Sequence, residues 1–172
     1  MIDLRPFNET EALQVFRFLD PMDHMEAELV RGAAVNHLRL FADWCAMQGA
    51  QVLSLVLATK PGPAGVPFAV LTLCHTGQAR VAQAALLARD HGRFRRSLAE
   101  AAVLIRRRLP GFCEELGIRR IEARSWTDHP SARSFLEGCG FHHECHMPGF
   151  GGQGQVAFEQ FAWIASPSDQ ET

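Results

Sequence analysis

The chain has 172 residues and a formal net charge of −2, and all but one (Lys60) of its 17 basic residues are arginine. That length suits a single domain with a substantial core, and the near-neutral balance excludes a protein that coats nucleic acid. Apolar runs such as 52–58 and 66–74 are too short to cross a membrane, and 1–6 has no signal-peptide core, so a cytoplasmic protein without a membrane partner is expected.

A short strand over 2–6 opens the chain. Asn8, with Glu11 three residues on, caps a helix whose Leu13, Phe16 and Leu19 recur at helical spacing, and Asp20-Pro21 ends it. Asp23 then offers a second N-cap with Glu26 at the capping-box position; the helical pattern runs through Leu29, breaks at Gly32 and resumes over 35–47. Val- and Leu-rich stretches at 51–59 and 66–75 flank a Pro/Gly turn and form a hairpin. Residues 78–88 are ambiguous. Alanine content favours helix, but two strands precede the stretch and a strong helix follows, so it is read as a third strand completing a meander.

A long helix follows from Gly92 toward Leu109, with Phe94, Leu98, Ala101, Ala102, Ile105 and Leu109 on one face. Pro110-Gly111 kinks or splits it before 112–116, and Gly117 caps the end. Strands are expected over 119–126, 141–147 and 155–164, a short helix over 130–138, and a glycine-rich loop over 148–154. The domain covers 1–165, with 166–172 as a flexible tail.

Arg93, Arg95 and Arg96 crowd the start of the long helix. Unpaired N–H groups and the positive end of the helix dipole disfavour cations there unless an anion sits among them, so 89–96 reads as a phosphate cradle rather than a solvated basic turn. Gly92 suits a close backbone approach. The cluster Cys139, His142, His143, Cys145, His146 has zinc-type ligands. On a strand, however, His142 and His146 face one side and His143 and Cys145 the other, so no metal is assigned. The five cysteines, scattered and without a CxxC pair, read as reduced thiols.

Two stretches carry a family resemblance. Residues 117–123 followed by 129–141, from His129-Pro130-Ser131-Ala132 to Gly140-Phe141, resemble the C-terminal signature of the GNAT acetyltransferase superfamily. Arg89 and Gly92 are similar to that family's acetyl-CoA loop, Arg/Gln-x-x-Gly-x-Gly/Ala, with Phe94 standing where a second small residue belongs. Within the superfamily, Asp23 with Glu26, the trio His91, Phe94 and Arg96, and Gly140-Phe141 look most like GNAT-like proteins of tailed bacteriophages.

The resemblance implies an α/β (α+β) fold with a mixed, mostly antiparallel sheet of six or seven strands flanked by four helices. It also implies an N-acetyltransferase that moves the acetyl group of acetyl-CoA directly to an amine of a small molecule or protein. On that reading Leu86, Leu87 and Ala88 end the fourth strand and supply the N–H that polarises the thioester, while Arg89, Gly92, Arg93, Phe94, Arg95 and Arg96 hold the diphosphate. Glu26, beside Asp23, competes with Glu122 and His75 as general base. His129, where relatives often carry asparagine, either bonds the pantetheine arm or caps its helix. The chain has no tyrosine, and Leu136 stands where the family's acid belongs, leaving Cys139, Ser134 or water. Together with Asp90 and Phe94, this favours a second reading, a catalytically degenerate GNAT-fold binding protein or phage accessory protein. No nucleic-acid partner is expected, and a homodimer is left open.

Overall fold

Among the described residues, seven strands form one sheet in the order β1-β2-β3-β4-β5-β7-β6. The computed structural model describes residues 1–166, so the tail expected from 166 onward lies, apart from Ser166, outside the described residues. Asp3–Pro6 (β1), Gln51–Ala58 (β2), Pro67–His75 (β3) and Val81–Ala88 (β4) make an antiparallel meander. Arg120–Trp126 (β5) joins β4 in parallel, and Val156–Ile164 (β7) and His142–Gly151 (β6) add antiparallel strands beyond it. The strand reading of 78–88 therefore holds over 81–88. The stretch is packed on both faces, with Ala82, Ala84, Leu86 and Ala88 toward one helical layer and Leu87 toward the other, and that context overrides alanine's helix propensity.

Glu9–Arg17 (α1), Pro21–Arg31 (α2) and His37–Ala46 (α3) lie in the first third, while Arg95–Leu116 (α4) and Ala132–Gly138 (α5) follow β4 and β5. Against one face of the sheet, Val15 and Phe16 of α1 and Leu40 and Trp44 of α3 cover Val56 and Val70. The Phe16 ring meets Phe41 and Trp44 edge-on at 5.9 and 5.6 Å. Against the other face, Ala102, Leu109 and Cys113 of α4 cover Leu73, Ala82, Ile121 and Phe161.

Several boundaries differ from the sequence reading, each for a local reason. Among the described residues five helices are present where the family resemblance implied four; the break expected at Gly32 separates α2 from α3, whose start is fixed by the Asn36 side chain accepting from the Arg39 N–H. The cap of α2 is Asp20, whose Oδ1 accepts from Met22 N, with Pro21 at the first helical position; Asp23 and Glu26 are no capping box and their side chains are free for other partners. α4 begins at Arg95 rather than Gly92, because 91–94 is a turn closed by Phe94 N donating to Asp90 O. Pro110 does not split α4; it faces solvent, where the missing N–H leaves a carbonyl that water can satisfy. β6 continues to Gly151, shortening the expected 148–154 loop to a 3₁₀ turn over 152–154.

One feature of the sheet shapes the candidate site. β4 pairs with β5 only through Val81, Ala82 and Gln83 opposite Arg120, Ile121 and Glu122, and beyond that point the two strands part.

Phe16 is 1% exposed, so Phe16→Ala is expected to lower the unfolding free energy by about 3–5 kcal/mol through lost burial and a residual cavity. Urea denaturation measures this, and a loss below about 1 kcal/mol would contradict the packing.

Candidate active site

Strand geometry decides which backbone groups face the opening between β4 and β5. Arg89 N donates to Phe68 O at 2.8 Å, so odd-numbered amides of this run point to β3 and those of Ala84 and Leu86 point into the gap. At the far end the gap is bridged by two carboxylates one turn apart on α2. Asp23 Oδ2 accepts from Ala88 N at 2.6 Å, and Glu26 Oε2 accepts from Trp126 N at 3.0 Å. Asp20 N donates to Ala88 O at 2.9 Å and seals the same strand end. A cavity of about 1300 Å³ opens from the gap, with Asp23, Glu26, Leu86, His91, Arg95 and Ser131 among its lining residues.

Asp23 is a buried hub. Besides Ala88 N it meets the Nε2 atoms of His129 and His91, each 3.0 Å from Oδ1. Burial opposes its charge, but these two imidazoles outweigh it and hold the Asp23 carboxyl below the ordinary aspartate value. Burial likewise opposes the His91 cation, yet hydrogen bonding and charge from Asp23 prevail and raise His91 above the ordinary histidine value. His91 Nδ1 lies 3.2 Å from Ser131 Oγ, and its backbone N–H donates to Asp20 Oδ2 at 2.8 Å.

These three residues are also, among the described residues, a group whose ligand atoms converge within 4.8 Å as for a metal ion. The tautomer of His129 argues against a metal. Its Nδ1 accepts from the N–H groups of Ser131 at 3.3 Å and Ala132 at 3.1 Å, which places the ring proton on Nε2, the atom a metal would need bare. His129 therefore caps the start of α5 and anchors to Asp23.

Glu26 is a second perturbed carboxyl on the cavity wall. Burial pushes it up to about 7, against the Trp126 hydrogen bond and the neighbouring His129. Its rivals sit elsewhere. Glu122 receives the Arg120 guanidinium at 2.8 Å at the paired end of the strands, and His75 pairs with Ala82 beside that same end. Cys139 is packed in the core, where burial lifts its thiol to about 12, and the Ser134 hydroxyl donates to Ser131 O at 2.9 Å.

The predicted cradle is partly filled by the protein itself. Asp90 Oδ1 accepts from Arg93 N at 2.9 Å, and Asp20 takes the His91 amide. Phe94 is buried and stacked on Phe68 at 5.7 Å, so it fills core rather than the pocket. Arg89 turns to Pro67 O at 2.8 Å and lies over the rings of Phe18 and Phe94. No side chain caps α4, which leaves the first-turn amides at Arg95 and Arg96 open, with Arg93, Arg95 and Arg96 exposed around them. Sequence reasoning missed Asp20 and Ser131 and gave His91 no chemical role; the only signal for His91 was its place three residues before Phe94.

No family model matches the chain, and no curated protein matches it. Solved structures do. The ribosomal-protein-S18-alanine N-acetyltransferase from Escherichia coli superposes with a TM-score of 0.66 at 13% identity, covering 100% of this chain and 99% of that one. A GNAT superfamily phosphinothricin acetyltransferase from Sinorhizobium meliloti, in complex with AcCoA, gives 0.66 at 12% identity over 99% of this chain and 92% of that one. A mutant spermidine N-acetyltransferase from Vibrio cholerae gives 0.64 at 16% identity over 95% and 93%. The chain has the GNAT fold. The bacteriophage resemblance rests on sequence motifs alone.

The two α2 carboxylates make opposite pH predictions. Glu26 protonates more readily folded than unfolded, so it removes stability as pH rises from the ordinary glutamate range to about 7. Glu26→Gln is expected to stabilise the protein at pH 8 by on the order of 3 kcal/mol and to leave it unchanged at pH 4. Asp23, held low, contributes stability at neutral pH that is lost as pH falls below the ordinary aspartate value. Denaturant titrations at pH 4 and pH 8 check the first, and a Glu26→Gln protein less stable at pH 8 would contradict it.

Proposed function

We propose that this chain is an acetyl-CoA-dependent N-acetyltransferase that passes the acetyl group directly to an amine of a small molecule or protein. The observation that carries this reading is the opened β4/β5 gap, with Leu86 N–H facing inward and Glu26, its carboxyl raised to about 7, at the mouth. A thioester carbonyl laid along β4 would accept from the Leu86 amide, which stabilises the oxygen as it gains charge. Glu26 near neutrality is matched to taking a proton from the attacking amine. The arm of the cosubstrate would run through the apolar cavity toward the open amides of Arg95 and Arg96, where the diphosphate meets Gly92 and the exposed guanidiniums. Five free cysteines accord with a reducing compartment such as the cytoplasm.

A second reading, a GNAT-fold binding or phage accessory protein without turnover, is favoured by one observation: Asp20 and Asp90 already hold the His91 and Arg93 amides. Thermal shift with acetyl-CoA followed by thiol release on an amine panel separates the two. Stabilisation with turnover supports the transferase, and absence of both supports the alternative.

The double variant Arg95→Ala, Arg96→Ala is expected to weaken acetyl-CoA binding at least tenfold by calorimetry, and unchanged affinity would refute the cradle. Glu26→Gln is expected to lower kcat about 100-fold and to remove the rise of activity through pH 7. A wild-type ascending limb preserved in the variant would exclude Glu26 as base.

A further inference from the structure

Acyl transfer from a thioester leaves a thiolate that must be protonated, and the chain has no tyrosine to do it. Among the hydroxyls and thiols of the cavity lining, Cys139 is packed in the core, Ser125 is buried on β5 and Ser134 is tied to the Ser131 carbonyl. Ser131 differs. Its Oγ lies 3.2 Å from His91 Nδ1, and the opposite nitrogen of that ring lies 3.0 Å from Asp23 Oδ1.

We propose that Ser131, His91 and Asp23 form a proton relay that delivers the proton required by the departing thiolate. The inference rests on the transferase reading above and names a residue for its second proton transfer. Ser131 stands at the start of α5, on the wall of the cavity, with its backbone fixed by donation to His129 Nδ1. The same Asp23 carboxylate holds His91 and His129, so the ring that feeds Ser131 and the ring that positions it are set by one buried charge.

The neutral amine nitrogen attacks the thioester carbon and loses a proton to Glu26 as the C–N bond forms and the C–S bond breaks. The thiolate takes the Ser131 Oγ proton, and Oγ takes the proton on His91 Nδ1. His91 ends neutral, its Nε2–H still on Asp23, and water returns the Glu26 proton to Nδ1. Asp20, Asp23 and Asp90 face the His91 ring and favour its protonated form, with His129 the other titratable neighbour at a 5.6 Å ring separation. Activity therefore requires Glu26 deprotonated and His91 protonated, a bell with its descending limb set by His91.

Ser131→Ala removes only the Oγ contact with His91 and leaves the bonds of Asp23 to His91 and His129 and the backbone bond to His129 in place, so it is the primary variant. With acetyl-CoA its kcat is expected to fall at least tenfold while the KM for acetyl-CoA changes less than threefold. The loss should vanish with an acetyl thioester of 4-nitrothiophenol, whose leaving group needs no proton, and Ser131→Thr should retain activity. His91→Gln should lose the descending limb of the pH profile. An unimpaired Ser131→Ala, an equal loss with both donors, or an acetyl group trapped on Ser131 would each overturn the relay while leaving the transferase reading standing. A wild type inactive toward both donors would overturn the two together.

Discussion

The parting of β4 from β5 is the constraint on which the rest depends. Two strands that stop pairing expose amides that must find partners, and a gap in a buried sheet is costly unless it is filled or hydrated. Asp23 and Glu26, one turn apart on α2, satisfy the amides at the two strand ends, Ala88 and Trp126. That holds the gap at a fixed width while leaving the Leu86 amide inside it unclaimed. The same contacts bring α2, the loop after β4 and the loop after β5 to one point, because Asp23 also receives His91 and His129.

The two carboxylates differ because their partners differ. Asp23 accepts from three donors and stays ionised in spite of its burial, whereas Glu26 has one backbone donor and its burial prevails. Equivalent residues on one helix are thereby split into a permanent anchor and a group that titrates near neutrality. The cost is stability: a carboxyl held up to about 7 weakens the fold at neutral and alkaline pH.

Much of the fold was legible because its signals are local. The Asn8 cap, the Pro/Gly turn of the hairpin and the glycine after α4 each act within a few residues. The strand at 81–88 required context, since its alanines favour helix until both sheet faces are covered. Asp20-Pro21 was read as an ending when it is a beginning, because a proline after a cap residue fits either side of a helix boundary. Of the site, Glu26 and the helix-start arginines were nameable from sequence. The Asp23 to Ala88 bond, 65 positions apart, and the Ser131 to His91 contact, 40 apart, have no local signature. The partners of two amides near the helix start escape sequence for a related reason: charge pattern reveals an excess of arginine but not that Asp20 and Asp90 claim the His91 and Arg93 amides.

The most direct test of the central claim is the amide resonance of Leu86 in ¹⁵N-labelled protein titrated with acetyl-CoA. The Leu86 N–H is expected to shift and gain exchange protection on binding, while Ala88 and Trp126, already held by Asp23 and Glu26, are protected in the free protein. Saturating acetyl-CoA that leaves Leu86 unmoved, or Ala88 and Trp126 amides exchanging freely before it is added, would contradict a transfer site built in the gap between β4 and β5.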